Sequence, residues 1–325
     1  MNIVIDCDPG NGIPGANVDD ALALAFALRS QAFHLKAIWT VFGNTSAAEG
    51  SRAAQQLLND LDAPHTRIIT GSPQPLSPGG AAWREKLDAP SMAYEVYSLW
   101  GATMAPHRDG WGEQHLSSLP DTKNTSTGDA VAQLADNLMT FPTGVTLACL
   151  GPLTNIARLI TEYPHVCDGI ERIALMGGCL GMGQLVDTNF AVDPISARVV
   201  LESGMPLTIV PLDVTRTTEL SLRRWEQICT EVTKDRARDC ELISRWLKPW
   251  LAYSQATRPV DGMWIHDLVV LAQLADPSLV QREHAYVAVR EDGKLVRNDS
   301  ATEVDLITAV DNERLIDLWV STVLG

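Results

Sequence analysis

The sequence predicts an α/β fold, a doubly wound, mainly parallel central sheet flanked by helices, and two observations carry that expectation. Short runs rich in β-branched residues recur along the chain, and helical patterns separate most of them. Strands alternating with helices pair in parallel and bury both faces of their sheet. A length of 325 residues suits one large α/β domain, taken as 1–325.

The expected strands are NIVID (2–6), LKAIWTV (35–41), TRIIT (66–70), VTLACL (145–150), RIALM (172–176) and LTIVPL (207–212). Residues 18–29 read as a mostly buried helix with Asn17 as its cap. Ser46 and Glu49 form a capping box that opens a helix to about residue 60. Asp193 and Pro194 read as a cap and first turn. The stretch 71–128 differs, with many Gly, Pro and Ser residues and a modest helical pattern only around Met92–Trp100. It reads as an irregular excursion from the sheet, either a lid or subunit contact or a plain surface insertion.

Composition narrows the function classes. A net charge of −15 opposes a polyphosphate partner, so no nucleic acid is expected. The acidic excess serves solubility or gathers carboxylates around a divalent cation. No apolar run approaches the roughly 20 residues of a membrane helix, and no secretory segment precedes NIVID. The six cysteines, at 7, 149, 167, 179, 229 and 240, show no paired spacing and read as free thiols in a reducing, cytoplasmic setting.

In a doubly wound sheet, ligands sit beyond the carboxyl ends of the strands, so residues just after each strand converge there. The first strand ends in Asp6-Cys7-Asp8-Pro9-Gly10, and Asp19 and Asp20 stand in the first turn of the next helix. Each piece has a bland reading, a good turn and a helix-dipole partner. Four carboxylates within residues 6–20 would nevertheless repel unless a hard, oxygen-liking cation lay among them. The second strand runs into Gly43-Asn44-Thr45, and the fourth into Gly151-Pro152-Leu153-Thr154-Asn155. Asn189 precedes Asp193-Pro194, and His266-Asp267 opens the apolar run LVVLAQL.

Taken in order, DCDPG with DDALAL, VFGN, CLGPLTN, LMGG, an Asn before DP, and IHD resemble the inosine-uridine type nucleoside hydrolases, calcium-dependent N-ribohydrolases. The matches span Ile3 to about Leu274. The resemblance implies Ca²⁺ held by Asp8, Asp20, the Leu150 carbonyl and Asp267, with water and two ribose hydroxyls completing the set. It implies that Asp8 accepts a proton from the water that the ion activates, which attacks the anomeric carbon through an oxocarbenium-like state. Asp19, Asn44 and Asn189 would bind the ribose hydroxyls, Asp6 would orient the metal ligands, and His266 would face and protonate the leaving base. A homodimer or homotetramer is expected on the same ground.

Two departures from the family pattern stand out. Eight residues, Asn11–Val18, separate DPG from DD where the family has one, and this loop should lie beside the catalytic pocket. At the sugar's 5′ end, Gln184 and Asp187 replace the family's asparagine and glutamate, which predicts rearranged 5′-hydroxyl recognition. For the base, Trp83, Trp100, Trp111, Trp250 and Trp264 are candidate stacking partners, with Trp264 best placed; the others read as core or contact residues. Two rival readings are an aspartate-nucleophile phosphatase and a non-catalytic calcium-dependent riboside binder. The first expects a hydroxyl residue after Asp-x-Asp, where Pro9 and Gly10 stand. An EF-hand is excluded by Asn17 at the twelfth loop position.

Overall fold

The computed structural model describes residues 1–78, 129–141 and 144–325. In chain order the elements are β1 (Asn2–Cys7), α1 (Asp19–Arg29), β2 (His34–Thr40), α2 (Ala47–Asp60) and β3 (Ile68–Thr70), followed by α3 (Ala130–Met139), β4 (Val145–Cys149) and α4 (Thr154–Glu162). Then come β5 (Ile170–Met176), α5 (Thr188–Val192), α6 (Pro194–Leu201), β6 (Leu207–Val210), α7 (Leu212–Thr215), α8 (Leu222–Glu231) and α9 (Ala237–Thr257). The chain ends with α10 (Leu268–Ala275), β7 (Val280–Val289), β8 (Leu295–Arg297), β9 (Thr302–Val310) and α11 (Asn312–Val323).

The strands form one sheet in the order β3-β2-β1-β4-β5-β6-β9-β7-β8. Every pair from β3 to β9 is parallel, and β7 runs antiparallel to both β9 and β8. The chain winds outward from β1 to β3, then returns to the other side of β1 and winds outward again through β4, β5 and β6. Connections leaving β1 and β4 therefore diverge, and a crevice opens between their carboxyl ends. All six expected strands are present. Three further strands, β7 to β9, complete the sheet where no strand was expected.

The pleat distributes β1 between two cores. Ile3, Ile5 and Cys7 pack with α1, α9, α10 and α11, while Val4 packs with Trp39, α3, α4 and α6 on the other face. Asp6 points to the second face too, and its burial there demands a partner. The Ser46–Glu49 capping box opens α2, and Asp193 caps α6 by accepting from Ser196 N. Asn17 does not cap α1. Val18 holds the cap position without a side-chain bond, and Asn17 Oδ1 instead accepts from Val18 N at 2.8 Å within the preceding turn.

The expectation of six free thiols is corrected: Cys229 on α8 and Cys240 on α9 form a disulfide. Their pairing follows from the packing of two helices across a short turn, which no spacing in the sequence announces. Cys7, Cys149 and Cys179 are free and buried, and Cys167 is free and half-buried. No helix among the described residues is long and apolar enough to cross a membrane. Most of the 71–128 excursion, with Met92–Trp100, Trp83, Trp100 and Trp111, lies outside the described residues.

Candidate active site

A cavity of about 440 Å³ opens at the β1–β4 crevice and is lined by Asp8, Asp19, Asn44, Leu150, Asn189 and Asp267, with His266 and Trp264 on its wall. These residues come from six separate stretches of chain, and each arrives just beyond a strand or at a helix start. The volume is that of a small-molecule site.

Asp8 is placed by the backbone of the β2 end. Asn44 N donates to its Oδ2 at 2.5 Å, and Asp8 N donates to Asp20 Oδ1 at 3.1 Å. Two glycines make room for its carboxylate. A Cβ on Gly43 would lie 1.8 Å from Asp8 Oδ2, and one on Gly151 would lie 2.9 Å from Asp8 Oδ1. The glycines of VFGN and LGP are thus spatial requirements of one carboxyl group.

Asp6 lies beneath, fully buried. Asn155 Nδ2 donates to its Oδ1 at 2.7 Å and also to Thr40 O, while Asn155 Oδ1 accepts from Ser72 N. Its Oδ2 has no hydrogen-bond partner among the described residues. Burial, joined by the charge of Asp8 and only partly offset by Asn155, pushes its pKa up to about 8.

Asp19, Asp20 and Asp267 bring carboxylate oxygens within 4.8 Å of one another, all buried. Burial first, then the neighbouring acids, hold Asp20 and Asp267 well above the usual carboxylate range. Burial likewise raises Asp19 to about 6, against hydrogen bonds from Asp267 and the backbone of His266. Asp19 Oδ1 is buried without a hydrogen-bond partner among the described residues. Such a concentration of like charge with an orphaned oxygen is a donor set for a cation of oxygen preference. Leu150 lines the same cavity, and its carbonyl accepts from Asn189 Nδ2 at 2.7 Å; the same nitrogen donates to Met176 O at 3.1 Å. Asn44 Nδ2 reaches Asp20 Oδ2 at 3.3 Å.

The aromatic wall is built from the stretch before α10. Thr218 Oγ1 donates to Ile265 O and accepts from Ile265 N, and a backbone bridge joins Leu220 to Met263. This pins Trp264 and His266 against the segment after β6. His266 Nδ1 pairs with Thr215 Oγ1 at 2.8 Å, and its ring centroid is 6.0 Å from that of Trp264. Burial, with Arg258 and Arg216 adding positive charge, pushes the imidazole pKa down to about 3.

The structure also shows which expected residues stay apart from the cavity. Gln184 is exposed and does not line it, because the turn through Gly183 carries it outward. Asp187 does line it, yet its oxygens accept from Gly178 N at 2.6 Å and Phe190 N at 3.2 Å, so it caps α5. Burial raises its pKa to about 7 despite those bonds. Asp20 and Asp6 lie behind the lining. The Asn11–Val18 loop packs through Ile13 and Ala16 onto Ala53, ties Asn11 Nδ2 to Ala53 O, and sends Asn17 to the cavity.

Sequence reasoning missed Thr215, Arg216, Tyr253 and Arg258, all at or beside this cavity. Thr215 and Arg216 follow the β6 end by five and six residues, at the end of the short helix α7, so an extended strand-end rule reaches them. Tyr253 and Arg258 sit at the end of a long helix and carried no signal.

Comparison with known proteins shows the family. A family model described as inosine-uridine preferring nucleoside hydrolase matches residues 3–317. The chain is 28% identical to a pyrimidine-specific ribonucleoside hydrolase, RihA, of Klebsiella pneumoniae, covering 98% of this chain and 96% of the relative. It is 30% identical to a non-specific ribonucleoside hydrolase, RihC, of Salmonella enteritidis, covering 94% and 88%. Among solved structures it resembles a plant nucleoside hydrolase with a TM-score of 0.78, at 21% identity over 100% of this chain and 99% of the other. It also resembles a purine-preferring ribonucleoside hydrolase of Gardnerella vaginalis with a TM-score of 0.75, at 21% identity over 100% and 98%.

Proposed function

The chain belongs to the inosine-uridine preferring nucleoside hydrolases and is therefore an N-glycosyl hydrolase, and from that premise we propose how its own residues act on a ribonucleoside or related riboside. The observation that carries the reading is the buried cluster of Asp19, Asp20 and Asp267 carboxylates beside the cavity, with Asp8 lining that cavity and hydrogen-bonded through its N–H to Asp20. Neither a phosphatase nor a passive binder is favoured by the relatives.

The donors fit a divalent cation, because they are all oxygen and Asp19 Oδ1 has no partner among the described residues. We assign Ca²⁺ to Asp8, Asp20, Asp267 and the Leu150 carbonyl, with Asp19 alongside. When bound, such an ion lowers the pKa of a water molecule and orients it. Asp8 accepts the proton of the attacking water. As the new carbon–oxygen bond forms, the bond from the anomeric carbon to the base nitrogen breaks and its electron pair leaves with the base.

Asp19 and the amide oxygens of Asn44 and Asn189 are assigned to the ribose hydroxyls, since both amide nitrogens already donate within the protein. Nearby carboxylates stabilise positive charge developing on the sugar. Asp6, held by Asn155, fixes the end of β1 on which Asp8 stands. His266, anchored through Nδ1 and kept neutral by burial, meets the leaving base beside Trp264 as a hydrogen-bonding partner through its other ring nitrogen rather than as a charged acid, which revises the protonating role that the family resemblance implies. With Gln184 outside the cavity and Asp187 occupied by backbone donors, the 5′-hydroxyl has a weak grip, so 5′-deoxyribosides should be turned over about as well as ribosides.

The test is ribose release from purine, pyrimidine and 5′-modified ribosides, with and without chelator. Release that vanishes with chelator and in Asp8→Ala is expected; release unaffected by both defeats the reading. Light scattering checks the expected dimer or tetramer.

A further inference from the structure

The cavity carries two guanidiniums whose place the reaction does not explain. Its lining has four acidic side chains, Asp8, Asp19, Asp187 and Asp267, and two basic ones, Arg216 and Arg258. Both arginines are built onto the aromatic wall. The Arg216 guanidinium lies 4.2 Å from the ring centre of Trp264, and that of Arg258 lies 4.7 Å from Trp250 and 5.2 Å from Tyr253. Arg216 makes no ion pair with a carboxylate among the described residues, in a chain with an excess of fifteen negative charges.

A guanidinium resting on a ring keeps its N–H edge for a further acceptor, and its planar fork matches a carboxylate. We propose that this wall selects ribosides whose leaving base carries an anionic substituent, a heteroaromatic carboxylate, with Arg216 as the specificity-determining contact and Trp264 as the stacking surface. The inference rests on the riboside orientation given above, in which Trp264 and His266 face the base. The same orientation argues against a sugar phosphate as the anion. The groups assigned to the sugar are carboxylates and amides, and the carboxylates would repel it.

The experiment compares uridine bearing a carboxylate at ring carbon 5 with the isosteric carboxamide, and uridine with its 5′-phosphate. The expected wild-type preference for the carboxylate is at least about tenfold in kcat/KM, the size of one charge-assisted contact. Arg216→Met should remove it, and Arg216→Lys should restore part, with thermal melts confirming that both variants are folded. Equal rates for carboxylate and carboxamide, a preference unchanged in Arg216→Met, or faster cleavage of the 5′-phosphate than of uridine would each overturn the proposal. Calorimetric binding of the same pair to Asp8→Ala reads the preference without turnover. A binding preference with no ribose release from any substrate would leave this proposal standing and defeat the functional reading instead.

Discussion

Asn44 donates its backbone N–H to Asp8 Oδ2 at 2.5 Å across a gap that exists because residue 43 has no side chain. On its other side the carboxylate already lies close to Gly151, where an added Cβ would be 2.9 Å from Oδ1. In Gly43→Ala, Asp8 must therefore rotate or the loop must shift. A displacement on the order of 1 Å at a catalytic group costs about a hundredfold in rate. The expected outcome is a kcat fall of that size with an unchanged far-UV circular dichroism spectrum. Wild-type turnover in Gly43→Ala would remove Asp8 from the reaction.

Asp20 and Asp267 are held far above their ordinary pKa values by burial and by each other's neighbours. An ion that binds only the folded chain adds stability that grows with the logarithm of its concentration above Kd, about 2.7 kcal/mol at a hundredfold excess. The melting temperature should rise with Ca²⁺ concentration and fall on chelation. Asp20→Asn should flatten that dependence. A calcium titration followed by differential scanning calorimetry checks it, and a wild-type melting temperature indifferent to calcium would count against the assigned site.

How much of this was legible in the sequence depends on burial pattern. β1, β4 and β6 are buried throughout or nearly so, and read directly as apolar runs. β7, with Gln281, Arg282, Glu283 and His284 exposed in succession, hid its strand character behind charge. The acidic site was legible because Asp6, Asp8, Asp19 and Asp20 follow one strand and open one helix, close in sequence as in space. The aromatic and basic wall was not. Arg216 meets Trp264 because Thr218 and the Leu220–Met263 bridge fold two distant segments together, and Tyr253 and Arg258 reach the same cavity from the end of α9. The Cys229–Cys240 bond was hidden for a different reason: it depends on how α8 packs against α9 across the short turn between them.

Asp193 joins three segments that approach the cavity. Its carboxylate accepts from Leu76 N, from Ser77 N and Oγ, from Thr154 Oγ1 and from Ser196 N and Oγ. Burial opposes its ionisation, yet these donors win and its pKa is lowered. A depressed carboxylate pKa stabilises the fold above its unfolded value, and that contribution is lost as pH falls through the folded pKa. Asp193→Ala leaves these donors without their acceptor and should cost about 3–5 kcal/mol in denaturant unfolding near neutral pH. A loss under 1 kcal/mol would show that the segments hold without it.

Asp187 titrates in the opposite sense. Burial raises its pKa to about 7 even though Gly178 N and Phe190 N donate to it. The folded chain thus holds this proton more tightly than the unfolded one, whose carboxyl titrates near 3.8. Its contribution is fully present below about pH 4 and is lost as pH rises through about 7, after which it stays constant. Asn at 187 cannot ionise, so the comparison turns on slope rather than on absolute stability, which the amide lowers by facing one backbone donor with another. Wild-type unfolding free energy should decline relative to Asp187→Asn across pH 4–7, by a few kcal/mol in all. Parallel profiles for the two proteins would mean that Asp187 is ionised in the fold, and its second oxygen would then be a charged acceptor at the sugar end of the cavity.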